Sequence, residues 1–250
     1  MVSTISKPDE EVKEKKLGAE LDYDEGWDQW DDMKRYGPMS RHTRRLIWSL
    51  IGKLKFRSVL DVGCGQGSPL EDVARRRSGV ELAGVDFSPR AVEFARLRMP
   101  NATFSVLDLT KETLDRKFDL IICTDVLEHI PDDRAALRNM HAMCGRWCLV
   151  STIQGRMRPY ELHMGHVRNY RRGELRAKVE DAGFVVRRQI DWGFPLYSPL
   201  YREVLRYFPP SATTGTFGFK RKLLSQVLYY AFMANASRFG DYIFILAEAR

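Results

Sequence analysis

Val59-Leu60-Asp61-Val62-Gly63-Cys64-Gly65-Gln66-Gly67 decides how this chain is read. A short apolar run ends in a glycine-rich turn, and Leu70–Arg77 behind it has helical spacing. The pattern is a strand that hands the chain to a tight turn opening a helix. Glycines at such a turn let the backbone approach a ligand closely and adopt conformations closed to other residues. The spacing departs from the dinucleotide fingerprint, because G-x-G-x-x-G counted from Gly63 requires glycine where Ser68 stands. It is not a P-loop either, since no Gly-Lys-Ser/Thr follows.

Outward from this turn, strands and helices alternate. Upstream, Ser40–Leu54 has apolar residues at helical spacing, with Ser40 as a candidate N-cap. Ser58–Val62, Val80–Val85, Thr103–Leu107, Phe118–Thr124 and Trp147–Thr152 read as strands. Between or after them, Leu70–Arg77, Pro89–Arg98, Asp133–Cys144 and Glu174–Ala182 read as helices, the last stopped by Gly183. Val185–Asp191 and Tyr242–Glu248 read as the last two strands. Such alternation implies an α/β fold, a mostly parallel sheet with helices on both faces.

Acids stand at the ends of successive strands. Asp86, in Gly84-Val85-Asp86-Phe87-Ser88, lies about twenty residues past the glycines, where a carboxylate can accept hydrogen bonds from ribose hydroxyls. Asp108, in Leu107-Asp108-Leu109, closes the third strand. Cys123-Thr124-Asp125-Val126-Leu127-Glu128-His129-Ile130 follows the fourth. Each acid alone can be a helix cap or turn former. In order, at the carboxyl ends of strands where open α/β sheets bind ligands, they outline one site.

Over residues 40–192 and 240–250 this set resembles the class I S-adenosylmethionine-dependent methyltransferases, in particular the small-molecule group that includes ubiquinone-pathway O-methyltransferases. The resemblance implies a Rossmann-like seven-stranded sheet of order 3-2-1-4-5-7-6, with the last-entered strand antiparallel. It implies S-adenosyl-L-methionine as cofactor. Asp61 and the turn residues Gly63, Cys64, Gly65 and Gly67 would hold its methionine end. Asp86 would hold the ribose with Phe87 beside the adenine, and Asp108 and Leu109 would meet the adenine edge. The residues from Thr124 to His129 would face the sulfonium and the acceptor.

Methyl transfer needs acceptor and methyl group held in line, and a hydroxyl acceptor also benefits from a general base. His129 and His166 are the candidate catalytic residues, with His163 nearby in sequence and His42 and His141 assigned to helices as structural. Gly165-His166-x-Arg168-x-Tyr170 also looks like the acceptor-side wall of the small-molecule group. Asp125-x-x-Glu128-His129 puts two carboxylates and an imidazole on one helical face, a set able to take Mg²⁺ or Mn²⁺. Relatives that bind a metal there carry Glu at the first position, where this chain has the shorter Asp125, so no metal is expected.

Composition bounds the rest. The 250 residues are 44% hydrophobic and 29% charged, with no apolar run long enough for a membrane span and no secretory signal, which predicts a soluble cytoplasmic protein. Cys64, Cys123, Cys144 and Cys148 form no C-x-x-C pair and are expected as buried reduced thiols. Net charge is +7, yet residues 1–35 hold 11 acids and 6 bases. An acidic, partly disordered segment 1–38 is therefore expected ahead of a methyltransferase domain at 39–250. Within that domain 194–239 is too long for a simple connection. Two helices are expected, Pro199–Tyr207 and Phe219–Asn235, forming an acceptor-side cap; a dimer face and a surface resting on membrane are the other readings. The expected function is O-methylation of a small or lipid-linked metabolite such as a quinol, phenol, sugar or natural product. The alternatives are N-methylation of a small molecule and RNA 2′-O-methylation, the latter disfavoured because no RNA-binding module is visible.

Overall fold

The computed structural model describes residues 31–207 and 215–250. In chain order the elements are α1 (Asp31–Tyr36), α2 (Pro38–Ile51), β1 (Ser58–Val62), α3 (Ser68–Arg76), β2 (Glu81–Asp86), α4 (Pro89–Arg98), β3 (Thr103–Val106) and β4 (Phe118–Thr124). Then follow α5 (Asp133–Met143), β5 (Cys144–Ile153), α6 (Pro159–His163), α7 (Glu174–Asp181), β6 (Phe184–Trp192), α8 (Phe219–Phe232) and β7 (Tyr242–Ala249). The seven strands form one sheet of order β3-β2-β1-β4-β5-β7-β6, the order that the family resemblance implied. All neighbours are parallel except β7, which runs antiparallel to both β5 and β6.

Period-two alternation builds a core on each face. In β4, Leu120 and Ile122 join a layer with Leu46 and Ile51 of α2, Leu70 of α3 and Val92 of α4. Ile121 and Cys123 point the other way, to Leu137 and Met140 of α5 and Val179 of α7. Leu120, Ile121 and Ile122 are fully buried, each worth roughly 1.5–3 kcal/mol of transfer free energy. The order reverses direction between β1 and β4. That is the switch point where a cleft opens at the carboxyl ends of the strands.

Several boundaries differ from the sequence reading, for local reasons. Helix α2 starts at Pro38 with Gly37 as N-cap, not at Ser40, because proline at the first turn is preset for helix entry. Strand β5 begins earlier, at Cys144, where it pairs with Phe118. The short α6 was not expected from the sequence. Of the acidic segment 1–38, residues 1–30, including the aromatic run Tyr23–Trp30, lie outside the described residues. In the long insertion, the chain turns through a π-helical Leu196–Tyr201, an α-turn Arg202–Val204 and a 3-10 turn Leu205–Tyr207 rather than one α-helix. Pro199 has no N–H to continue an α ladder, which accounts for the irregular turn. Helix α8 stops at Phe232, and Asn235 beyond it accepts hydrogen bonds from the backbone N–H of Leu196 (2.8 Å) and Tyr197 (3.2 Å).

The insertion has two halves with different seats. Its first half packs on the loop after β5, and its second half, α8, packs on α2. On the α2 side, Arg41 donates to Gln226 (2.8 Å), and the buried His42 ring stacks on Trp192 and Tyr229. On the loop side, the fully buried Arg202 donates to Glu161 of α6 and to Asp241 just before β7 (2.5 Å). Removing one member of a buried ion pair leaves the other charge uncompensated, which costs far more than a surface pair contributes. Arg202→Met is therefore expected to destabilise the protein by about 3–5 kcal/mol in urea unfolding. The double change Arg202→Met/Glu161→Gln should cost less than the single one; an equal or larger loss would show that the pair is not coupled.

Candidate active site

Parallel strands deliver their carboxyl ends to one edge, so acids that end strands converge there. Asp61 of β1 is fully buried, and neither carboxylate oxygen has a hydrogen-bond partner among the described residues. Burial, then the nearby Asp86 charge, raise its carboxyl well above the ordinary range, with Lys34 opposing. An orphaned buried carboxylate is costly in a free protein and marks a place for a cationic or hydrogen-bond-donating ligand. Asp86 at the end of β2 accepts from the backbone N–H of Gly65 (2.8 Å) and of Ser88 (3.0 Å), which ties the glycine turn to the second strand.

The turn itself is pressed against the segment after β4. Gly63 has φ +68°, and a Cβ there would sit 2.3 Å from the Val126 side chain, so only glycine fits. Gly63 and Cys64 both donate backbone N–H groups to the Val85 carbonyl (2.8 and 3.0 Å). Cys64 and Leu109 turn their side chains into the core, so only their backbones are available to a ligand. Phe87 is exposed on the rim. Asp108 accepts from the Thr110 backbone (3.0 Å) and hydroxyl (2.6 Å) and pairs with Lys111 (2.8 Å). These partners hold its carboxyl down, at about 2. Thr124, the last residue of β4, is half-buried at the same edge.

Lys34 of α1 was not singled out in the sequence, yet it reaches this edge. Burial lowers its amine to about 8, while Asp86, Asp61 and Asp125 pull it upward. Helix α1 is held in place by Arg44, which donates to the Lys34 carbonyl (2.5 Å), and by an Arg98–Asp31 ion pair (2.9 Å). Nothing in the acidic sequence around Lys34 signals this placement.

On the other side of β4 lies a second cluster. Asp125 has φ +55°, a left-handed backbone that Asp tolerates better than most residues, and its N–H donates to the Ser151 carbonyl (3.0 Å). Its carboxylate accepts from the Tyr242 hydroxyl. Asp125 is exposed to solvent, but the crowding around it and the neighbouring Glu128 raise its carboxyl. Glu128 is buried, accepts from the Thr152 hydroxyl (2.7 Å), and is pushed up to about 7 by burial.

The two predicted histidines meet here. The rings of His129 and His166 lie 4.8 Å apart, edge to face. His129 Nδ1 is 3.1 Å from the Gly165 carbonyl, which can only accept, so this nitrogen carries the proton. Asn169 donates its amide N–H to Glu161 (2.8 Å), which leaves its carbonyl to accept from His166 Nδ1 (3.4 Å). Both imidazoles therefore keep Nε2 as an acceptor. Burial lowers both, His166 to about 4, so they are neutral near pH 7.

Ligand atoms of Glu128, His129 and His166 lie within 4.8 Å of one another. The structure thus pairs His166, not Asp125, with Glu128 and His129. His163 is exposed and donates its Nδ1–H locally to the Pro159 carbonyl, away from the cluster. His42 and His141 sit in helices against Trp192 and Phe184, as expected for structural residues. Tyr242, Thr152, Glu161 and Asn169 were not anticipated. Tyr242 was the most accessible of these: an antiparallel last strand starts at the edge where the parallel ones end.

A methyltransferase-domain family model matches residues 21–189. Ubiquinone biosynthesis O-methyltransferase of Bordetella avium is 31% identical over 136 residues, 50% of this chain and 55% of that protein. The chain thus spans about half the length of the curated relatives it matches. Magnesium protoporphyrin IX methyltransferase from Synechocystis, solved with bound SAM, aligns with a TM-score of 0.54 at 18% identity, covering 99% of this chain and 100% of that one. N-methyltransferase NodS of Bradyrhizobium japonicum aligns with a TM-score of 0.57 at 14% identity, covering 96% and 97%. The chain belongs to the methyltransferase-domain family, and it shares its fold with a methyltransferase solved with S-adenosylmethionine bound.

Proposed function

We propose that this protein methylates an oxygen of a small, bulky or lipid-linked hydroxyl compound of the phenol or quinol class, with His129 and His166 as the catalytic residues. The observation that carries the reading is the pair of neutral imidazoles, His166 buried and His129 half-buried, each with Nδ1 committed and Nε2 able to accept a proton. S-adenosylmethionine, when bound, supplies an electrophilic methyl group. His129 takes the proton from the acceptor hydroxyl as its oxygen becomes nucleophilic. His166, fixed through Asn169 and Glu161, sets the orientation of the pair. The relatives named as O-methyltransferases support an oxygen acceptor over nitrogen or RNA. The free buried thiols support a reducing, cytoplasmic setting.

In the same proposal Asp61 with Gly63, Cys64, Gly65 and Gly67 holds the methionine end of the cofactor. Asp86 and Phe87 serve the ribose and adenine, Asp108 and Leu109 the adenine edge, and Thr124 the cleft floor. The orphaned Asp61 carboxylate fits a ligand bearing an ammonium and a sulfonium. The first half of the insertion, seated on the loop that carries His166, is the acceptor-side cap in this reading.

A second reading has support of its own. Glu128, His129 and His166 form a ligand set suited to a divalent cation, and each imidazole already donates its other nitrogen to a carbonyl, as metal ligands do. Such an ion would lower the pKa of an acceptor hydroxyl directly.

Two outcomes are expected. Asp61→Asn should weaken S-adenosylmethionine binding by at least about tenfold in calorimetry, having lost a charge-assisted contact. The same change should raise the melting temperature of the ligand-free protein, because folding no longer has to bury the Asp61 charge or take up a proton to neutralise it. Unchanged affinity in a folded variant would overturn the assignment. Separately, His129→Ala and His166→Ala should each lower kcat by about 10²–10⁴ with cofactor affinity intact. If activity in the native enzyme survives EDTA, the imidazoles act as bases; if EDTA abolishes it and Mn²⁺ or Mg²⁺ restores it, the metal reading replaces the base.

A further inference from the structure

Helix α8 packs only one side. Ser225 and Phe232 are buried and Tyr229 is half-buried against α2 and Trp192. On the opposite side Phe219, Leu223, Val227 and Tyr230, at i, i+4, i+8 and i+11, form an exposed apolar stripe. Phe219 is 81% and Tyr230 65% exposed. A stripe of this kind is unusual on a surface helix, which normally turns polar residues outward.

Charge tells what covers it. Residues 205–240 contain no Asp or Glu, but they contain Arg206, Lys220, Arg221, Lys222 and Arg238. Lys220 and Lys222 flank the stripe at its start, one on each side by helical spacing. Beside the stripe, α2, α3 and α8 enclose a groove of about 260 Å³ lined by Arg41, Arg44, Arg45, Trp48, Arg76 and Tyr229. The Tyr229 ring in the groove touches the Tyr230 ring in the stripe (5.6 Å between centroids). Of the four guanidiniums, Arg44 is paired with a carboxylate, Asp72 (3.2 Å). Arg41 lies over the Tyr229 ring (3.7 Å) and bonds Gln226, Arg45 bonds the His42 ring, and Arg76 lies over Trp48 (4.9 Å). Among the described residues none of these three makes an ion pair with a carboxylate.

An apolar helix stripe bordered by bases and next to an arginine groove matches the interface of an anionic bilayer: acyl chains against the stripe, phosphates in the groove. We propose that this face docks the protein on a membrane surface rich in anionic phospholipid, with α8 lying in the plane of the interface. No described helix is long and apolar enough to cross a membrane, and this contact requires none. The proposal does not depend on the reaction assigned above. It would, however, place an enzyme acting on lipid-linked acceptors where those acceptors are.

Vesicle flotation tests it with the full chain. Vesicles of phosphatidylcholine and phosphatidylglycerol in equal parts should carry the protein up the gradient; vesicles of phosphatidylcholine alone should carry little. Binding to the anionic vesicles should weaken as salt rises. Leu223→Asp/Val227→Asp, both at exposed positions, should weaken it at least about tenfold, and Lys220→Gln and Arg76→Gln by about fivefold each. Cofactor affinity, measured in parallel, reports that each variant is folded. Failure of the intact chain to float with anionic vesicles would overturn the proposal. So would flotation that the stripe and groove variants leave unchanged, or a dimer in light scattering that Leu223→Asp/Val227→Asp dissolves, which would assign the face to a second copy. None of these results bears on turnover of a soluble acceptor, so failure here leaves the proposed reaction standing.

Discussion

Four carboxylates share one edge of the sheet, and all four are raised: Asp61, Asp86 and Glu128 by burial, and the exposed Asp125 by the crowding around it and the neighbouring Glu128. The cause lies in the topology. Parallel strands all finish at the same edge, so an acid at the end of each strand is brought beside its neighbours whether or not a counter-charge is present. Only partial relief comes from within the chain. Asp86 is fastened by two backbone N–H groups, Asp125 by Tyr242, Glu128 by Thr152, and Lys34 brings one amine near three of the acids. Among the described residues, nothing hydrogen-bonds either oxygen of Asp61. Such an edge stores unfavourable free energy in the free protein and releases it when positive charge arrives.

The imidazole pair depends on a separate line of support. Arg202, in the insertion, fixes Glu161; Glu161 accepts from Asn169; and Asn169 fixes the tautomer of His166. A residue some forty positions downstream therefore reaches the His166 ring through two intermediates, Glu161 and Asn169. This explains why the insertion is more than packing in its first half. Its second half contributes to the α2 core through Phe232 and Tyr229 and leaves the stripe outward. One inserted segment thus has two seats and two surfaces.

The fold was legible because its signals are local. The run Phe118–Thr124, the glycine turn and the proline-started helix at Pro89 each carry their own physical constraint, and those three elements begin and end where the sequence placed them or within two residues. The candidate site was legible in part for the same reason: acids and histidines at strand ends announce themselves. What stayed hidden is long-range. Lys34 reaches the edge from a helix whose sequence looks like any acidic surface. Tyr242 and Thr152 act through the antiparallel pairing of β7 with β5, and Asn169 through a contact with Glu161. The trio read as Asp125, Glu128 and His129 assumed a helical turn. The left-handed backbone at Asp125 breaks that turn and directs its carboxylate to Tyr242, leaving His166 to complete the cluster.

If these raised acids are the organising constraint, ligand binding and proton release must be linked. Carboxyls raised in the free protein bind protons that an arriving cation would displace, and the sign is fixed: the ligand-bound state holds fewer protons, so affinity rises with pH. Calorimetric titration of S-adenosylmethionine in buffers of different ionisation enthalpy, between about pH 5.5 and about pH 8, reads this directly. The account predicts net proton release on binding, with affinity increasing across that range. Binding with no proton exchange and an affinity flat across the range would contradict it.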